Sequence, residues 1–164
     1  MTRARIVAAA AAFCALSAYA QPHDHAAHHA MAARHPAAAP AAAKRQTVGF
    51  PKALREHTLA NMRDHLLALQ EIQSALAKAD YDRAADIAEQ RLGMSSLGLH
   101  GAHEAARYMP KGMQDAGTAM HRSASRFAIA ARDAAATGDV KPPLDLLSQV
   151  TGACVACHSG YRFK

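Results

Sequence analysis

The chain has 164 residues, enough for one domain and too few for two of ordinary size. Half of it is hydrophobic, but much of that is alanine, aromatic residues reach only 5% and tryptophan is missing, which favours helices and excludes a sheet-built core. The formal net charge of +6 comes from dispersed lysines and arginines. With no nucleic-acid-binding signature beside them, they read as a solvated basic surface and not as a nucleic-acid footprint.

Residues 1–20 begin with MTRAR, continue through an apolar run too short to span a bilayer, and end on small residues before Gln21. Basic start, apolar middle and small cut site are the pattern of a cleaved secretory signal. Phe13 beside Cys14 argues against a lipoprotein site, where a small residue is expected. Cleavage after Ala20 removes Arg3, Arg5 and Cys14, lowers the net charge from +6 to +4, and leaves Cys154 and Cys157 as the remaining cysteines. The expectation is an exported, periplasmic protein of a bacterium with no membrane span after cleavage.

Residues 21–47 are alanine, proline and histidine with almost no large apolar side chain, so they cannot bury enough surface to offset the entropy of ordering. They are expected to be a disordered tail. Five of the eleven histidines lie there: His23, His25, His28, His29 and His35. Such a tract can bind copper, nickel or zinc loosely, although nothing fixes a ligand geometry.

Residues 48–164 read as one helical domain. Leu59, Met62, Leu66, Leu69, Ile72 and Leu76 mark the apolar face of a long first helix after Pro51, which ends in a turn at Ala79–Asp80. A second helical stretch over 82–108 is broken or kinked near Gly93 and Ser95–Ser96. Pro110 and Gly112 interrupt the chain, a third helix follows and stops at Gly138, and Pro142–Pro143 open a fourth that runs to the C-terminus. With no strand pattern anywhere, the expected fold is an all-α antiparallel four-helix bundle.

The last helix carries CVACHSGYR. Two thiols spaced as C-x-x-C can each add to one vinyl group of haem, and the next histidine is then held to coordinate the iron. Cys154 and Cys157 are thus the expected thioether positions of one covalent haem c, and His158 the expected proximal ligand. A zinc site needs four ligands and the chain has no second CxxC. A thioredoxin-type disulfide belongs at a helix N-terminus in a βαβ setting. A structural disulfide over so short a gap would close almost no loop.

An exported helical chain with CxxCH on its last helix, followed by a tyrosine and a basic residue, resembles the class II cytochromes c, the family of cytochrome c prime. The resemblance covers about residues 50–164 and rests mainly on the position of the motif; the histidine-rich tail is not part of it. It implies a periplasmic haem protein, often a homodimer, with the first helix over the distal face of the haem. Taking Arg55 as the family's first-helix arginine, which can meet a haem propionate, places Leu59 over the iron and implies an open site for small gases such as nitric oxide or carbon monoxide. Met62 lies on the same face, and a small slide of the helix makes its sulfur the sixth ligand, as an electron carrier requires.

Met94, Met109, Met113 and Met120 are weaker candidates for that position. His57, His65, His100, His103 and His121 read as surface or capping histidines, with His100 and His103 in GLHGAHE close enough in sequence to share a metal. No acid–base pair marks an enzyme. The expected function is electron transfer with periplasmic redox proteins, the alternatives being gas binding at a five-coordinate haem and metal handling by the histidine-rich tail.

Overall fold

The computed structural model describes residues 44–164, so the expected signal and nearly all of the expected tail lie outside the described residues. The described chain is all-α apart from one small ribbon. It contains β1 (Gln46–Val48), α1 (Lys52–Leu76), α2 (Tyr81–Arg91), a 3₁₀ turn at Met94–Ser96, α3 (Ala102–Ala106), α4 (Lys111–Thr137), α5 (Lys141–Gly160) and β2 (Tyr161–Phe163). None of these helices is long and apolar enough to cross a membrane.

The helix boundaries follow local chemistry. The Asp80 carboxylate accepts from the Arg83 backbone N–H at 3.3 Å and caps α2. A methyl group at Gly93 would sit 2.7 Å from the Glu89 carbonyl oxygen, so only glycine permits the break after α2. Gly138 ends α4 in the left-handed conformation, at φ 76°. The expected second stretch over 82–108 is broken at Gly93 and Ser95–Ser96, into α2, the 3₁₀ turn and α3.

Alanine dominates where helices meet. Ala68 and Ala75 of α1, Ala84, Ala85 and Ala88 of α2, and Ala124, Ala128 and Ala131 of α4 are buried, and Ile72, Leu92, Phe127 and Val150 fill the remaining volume. Small side chains let backbones approach, and the close pairs are α4 with α5, α2 with α4, and α1 with α2. By contrast, α1 stands off from α4 and α5, and the gap becomes a cavity beside the end of α5. The inner face of α1 is Thr58, His65, Ala68, Ile72 and Ala75, while Leu66 is 70% exposed. Of the apolar stripe expected from the sequence, Ile72 is buried, Leu69 and Leu76 pack against the core and Leu59 and Met62 line the cavity, while Leu66 turns outward.

The two strands correct the expectation of no strand. Gln46 pairs with Tyr161, Thr47 with Arg162 and Val48 with Phe163 in a parallel ribbon. Gln46 and Thr47, at the end of the segment read as tail, are held by these backbone bonds, and Val48 is buried. Phe50 packs against Phe163 and Tyr108 at ring separations of 4.9 and 5.9 Å, which fastens the ribbon to the segment between α3 and α4. The residues just after the CxxCH motif are thereby tied to those just before α1.

Candidate functional site

A cavity of about 350 Å³ opens where α1 and α4 diverge beside the end of α5. From α1 it receives Leu59, Met62 and His65; from α4, Met113, Gly117, Met120 and His121. The motif and ribbon contribute Cys157, His158, Tyr161 and Arg162, and the segment between α2 and α4 contributes His100 and Met109. Its walls are mostly apolar, and a Cβ built on Gly117 would meet nothing within 4 Å. Glycine here widens the space where any other residue would narrow it.

Cys157 and His158 line this cavity, with His158 exposed at its open edge. Cys154, one turn earlier, packs against the core. Both thiols are free. Burial raises the pKa of Cys154, and burial together with the neighbouring Cys154 raises that of Cys157, so both are protonated at neutral pH. They occupy the last turns of α5, where the helix dipole also disfavours a thiolate. A thiol–disulfide oxidoreductase needs the opposite arrangement, a thiolate stabilised at a helix N-terminus.

Both distal candidates, Leu59 and Met62, reach the cavity from α1. Met109, Met113 and Met120 line it too, whereas Met94 is 40% exposed elsewhere. Arg55 is exposed and does not line the cavity; Arg45 and Arg162 do. Among the described residues neither of these two arginines has an acidic partner, although the Arg162 guanidinium donates to Thr47 Oγ1 at 3.1 Å. The positions of Arg45 and Arg162 depend on the β1–β2 ribbon, which no sequence periodicity announces.

The histidines depart most from expectation. His65 and His121 are buried to 8% exposure and, with half-buried His100, form one cluster on the cavity wall. Their ring centres are 4.6 Å apart for His65–His100, 5.5 Å for His100–His121 and 6.1 Å for His65–His121. His103 is exposed, so the pairing expected within GLHGAHE is replaced by one between α1 and the loop after the 3₁₀ turn. The sequence signal was faint: His65 follows Met62 by three residues and His121 is next to Met120, both on helix faces that reach the cavity.

Hydrogen bonds orient the cluster. Ser96 Oγ–H donates to the Gly93 carbonyl at 2.7 Å, which leaves its lone pairs to accept from His100 Nδ1–H at 3.4 Å. His100 Nε2 then carries a lone pair and accepts from His65 Nε2–H at 3.3 Å. His121 Nδ1–H donates to the Leu92 carbonyl at 2.8 Å, leaving its Nε2 without a proton. Burial, with the neighbouring His100 and His121, lowers the His65 pKa to about 4; burial also lowers those of His100 and His121. The three rings are neutral at pH 7.

The Arg91 guanidinium grips the Asp64 carboxylate through two nitrogens and also bonds Glu71, so the last residue of α2 fixes the turn of α1 that carries His65. Among the described residues no group of three or more histidine, cysteine or acidic side chains could hold a metal ion as it stands. No protein-family model matches this chain, nor does any curated protein or solved structure.

Proposed function

We propose that this protein is an exported c-type haem protein that carries electrons. The observation that carries the reading is the placement of Cys157 and His158 on an apolar cavity with Cys154 one turn behind them. The residues fit the group in three respects. The thiols are free and protonated, as addition to a vinyl group requires, because each S–H adds across a C=C bond with no net oxidation. The histidine follows the second thiol directly. The cations at the rim, Arg45 and Arg162, have no acidic partner among the described residues and suit the propionates of a haem.

In this reading Cys154 and Cys157 hold the haem, His158 is the proximal ligand, and the long helices form an antiparallel four-helix bundle around it. When bound, the haem supplies reversible one-electron exchange. The chain keeps water from it with the apolar side chains of α1 and α4, and Met62 offers a thioether as sixth ligand, which raises the reduction potential. The basic surface guides docking to acidic redox partners in the periplasm. A second reading has its own observation: Leu59 reaches the same cavity from the same helix. If Leu59 covers the iron, the haem is five-coordinate and binds small diatomic gases.

Optical spectra of the protein made in a host that matures c-type cytochromes test both. Sharp split bands on reduction that ignore carbon monoxide support the carrier, and broad bands that shift with the gas support the alternative. Haem that resists extraction with acid and is lost in the Cys154→Ala, Cys157→Ala double variant supports covalent attachment. A chain with no haem bands from such a host would overturn both readings.

A further inference from the structure

We infer that His65, His100 and His121 form a binding site for one divalent transition-metal ion, with Zn²⁺ as its simplest occupant. Three imidazoles suit zinc and its neighbours in the first transition row. The inference uses none of the residues assigned to the haem, but the cluster stands on the wall of the same cavity.

The spacing is that of ligands around a shared centre. With metal–nitrogen bonds of about 2.05 Å, two ligands of a tetrahedral zinc stand roughly 3.3 Å apart. His65 Nε2 and His100 Nε2 are separated by 3.3 Å. Rings bound through Nε2 to one tetrahedral ion have centres about 5 Å apart, and the three separations here, 4.6, 5.5 and 6.1 Å, bracket that value. His121 makes no nitrogen contact with the other two, so no group stands ready for a metal until its ring draws in towards both by rotation about the χ angles.

The surroundings also match. A metal-bound histidine usually donates its other ring N–H to a carbonyl or other acceptor, which fixes the tautomer and aims the lone pair. His121 does so to the Leu92 carbonyl and His100 to Ser96 Oγ, and in both cases the free nitrogen is Nε2. His65 alone has its Nε2 proton in the way. Binding moves that proton to Nδ1, so the metal replaces one N–H···N contact and the ring stays neutral. Three protein ligands leave the fourth position to a water or small anion from the cavity, the arrangement of an open zinc site.

The test uses the full chain. Asparagine replaces His23, His25, His28, His29 and His35, so that the tail offers no imidazole. Zn²⁺ affinity is measured by competition with a chromophoric chelator, and stoichiometry by metal analysis after gel filtration. The expected result is one bound Zn²⁺, with an affinity lowered at least tenfold by His65→Gln, His100→Gln or His121→Gln and unchanged by the exposed His103→Gln. Ser96→Ala leaves every ligand in place and removes only the hydrogen bond that orients His100. It should weaken binding by about tenfold, which keeps the test decisive if a histidine variant fails to fold.

No retained Zn²⁺, or binding that survives both His65→Gln and His100→Gln, would overturn the site. Repeating the titration on the Cys154→Ala, Cys157→Ala variant separates the two readings. Zinc bound without haem leaves the metal site standing on its own, while haem bound without zinc removes the metal site and leaves the haem reading intact.

Discussion

Two glycines of α4, five residues apart, should respond in opposite directions to the same added methyl group. Gly117 lies within the helix, and its Cβ position opens into the cavity with nothing within 4 Å. Gly117→Ala therefore gains helix propensity with no steric cost, a stabilisation of about 0.5–1 kcal/mol. Gly112 is the second residue of α4, where propensity counts for less, and a Cβ there would collide with the Tyr161 hydroxyl. Only the far end of the Tyr161 side chain is met, and this ring borders the cavity, so it has to swing for the methyl group to fit. Overpacking costs about 1–3 kcal/mol, and a clash relieved by a side-chain swing falls at the low end. Urea denaturation of the two variants should separate them by about 2 kcal/mol, with unchanged m-values.

A larger residue at position 117 extends the argument to function. Gly117→Phe should fold, since the helix accepts it and the cavity has room for the ring, but it occupies the space assigned to the haem. Covalent haem per protein, measured by absorbance after acid extraction, should fall several-fold while helicity by circular dichroism is kept. Equal and same-signed effects of the two alanine variants, or full haem loading of Gly117→Phe, would refute the packing on which this reasoning rests.

Truncating Phe127→Ala in the alanine-rich core removes one of the few large, fully buried side chains and should cost about 3–5 kcal/mol, read as a lower urea midpoint. In the reduced protein, Met62→Ala should convert sharp split bands to broad ones that respond to carbon monoxide if Met62 is the sixth ligand, whereas Leu59→Ala should leave the bands sharp. For Glu89, burial pulls the pKa up, but hydrogen bonds from Ser125 and Ser95 outweigh it and hold it below 4.5. Its stabilising contribution is therefore complete above pH 4.5 and lost as the pH falls through the lower folded-state value. Denaturation midpoints from pH 6 to pH 3 should fall less steeply in Glu89→Gln than in the parent.

Local chemistry alone dictated much of the architecture. Helix content follows from alanine and leucine, and the breaks at Asp80, Gly93, Pro110 and Gly138 from capping, steric and backbone rules that act within a few residues. The CxxCH spacing is equally local, so Cys154, Cys157 and His158 could be named as a group before any fold was known. What the sequence could not reveal is how those parts face one another. Apolar periodicity marked most of the inward side of α1 but missed His65, Ala68 and Ala75 and misplaced Leu66, because the partner helices, and not α1 itself, decide whether a contact is filled by alanine or leucine. Leu66 lost its place in the core for that reason.

The β1–β2 ribbon and the histidine cluster join residues far apart in the chain, and no short-range pattern encodes such a meeting. His65 belongs with His100 and His121 only because Arg91 holds the turn of α1 that carries it, while the Leu92 carbonyl and Ser96 orient its two partners. Sequence determined the helices and the chemistry of the motif, since both depend on neighbours along the chain. Tertiary structure decided which side chains share the cavity, since that depends on where the alanine contacts let the helices close and where they leave them apart.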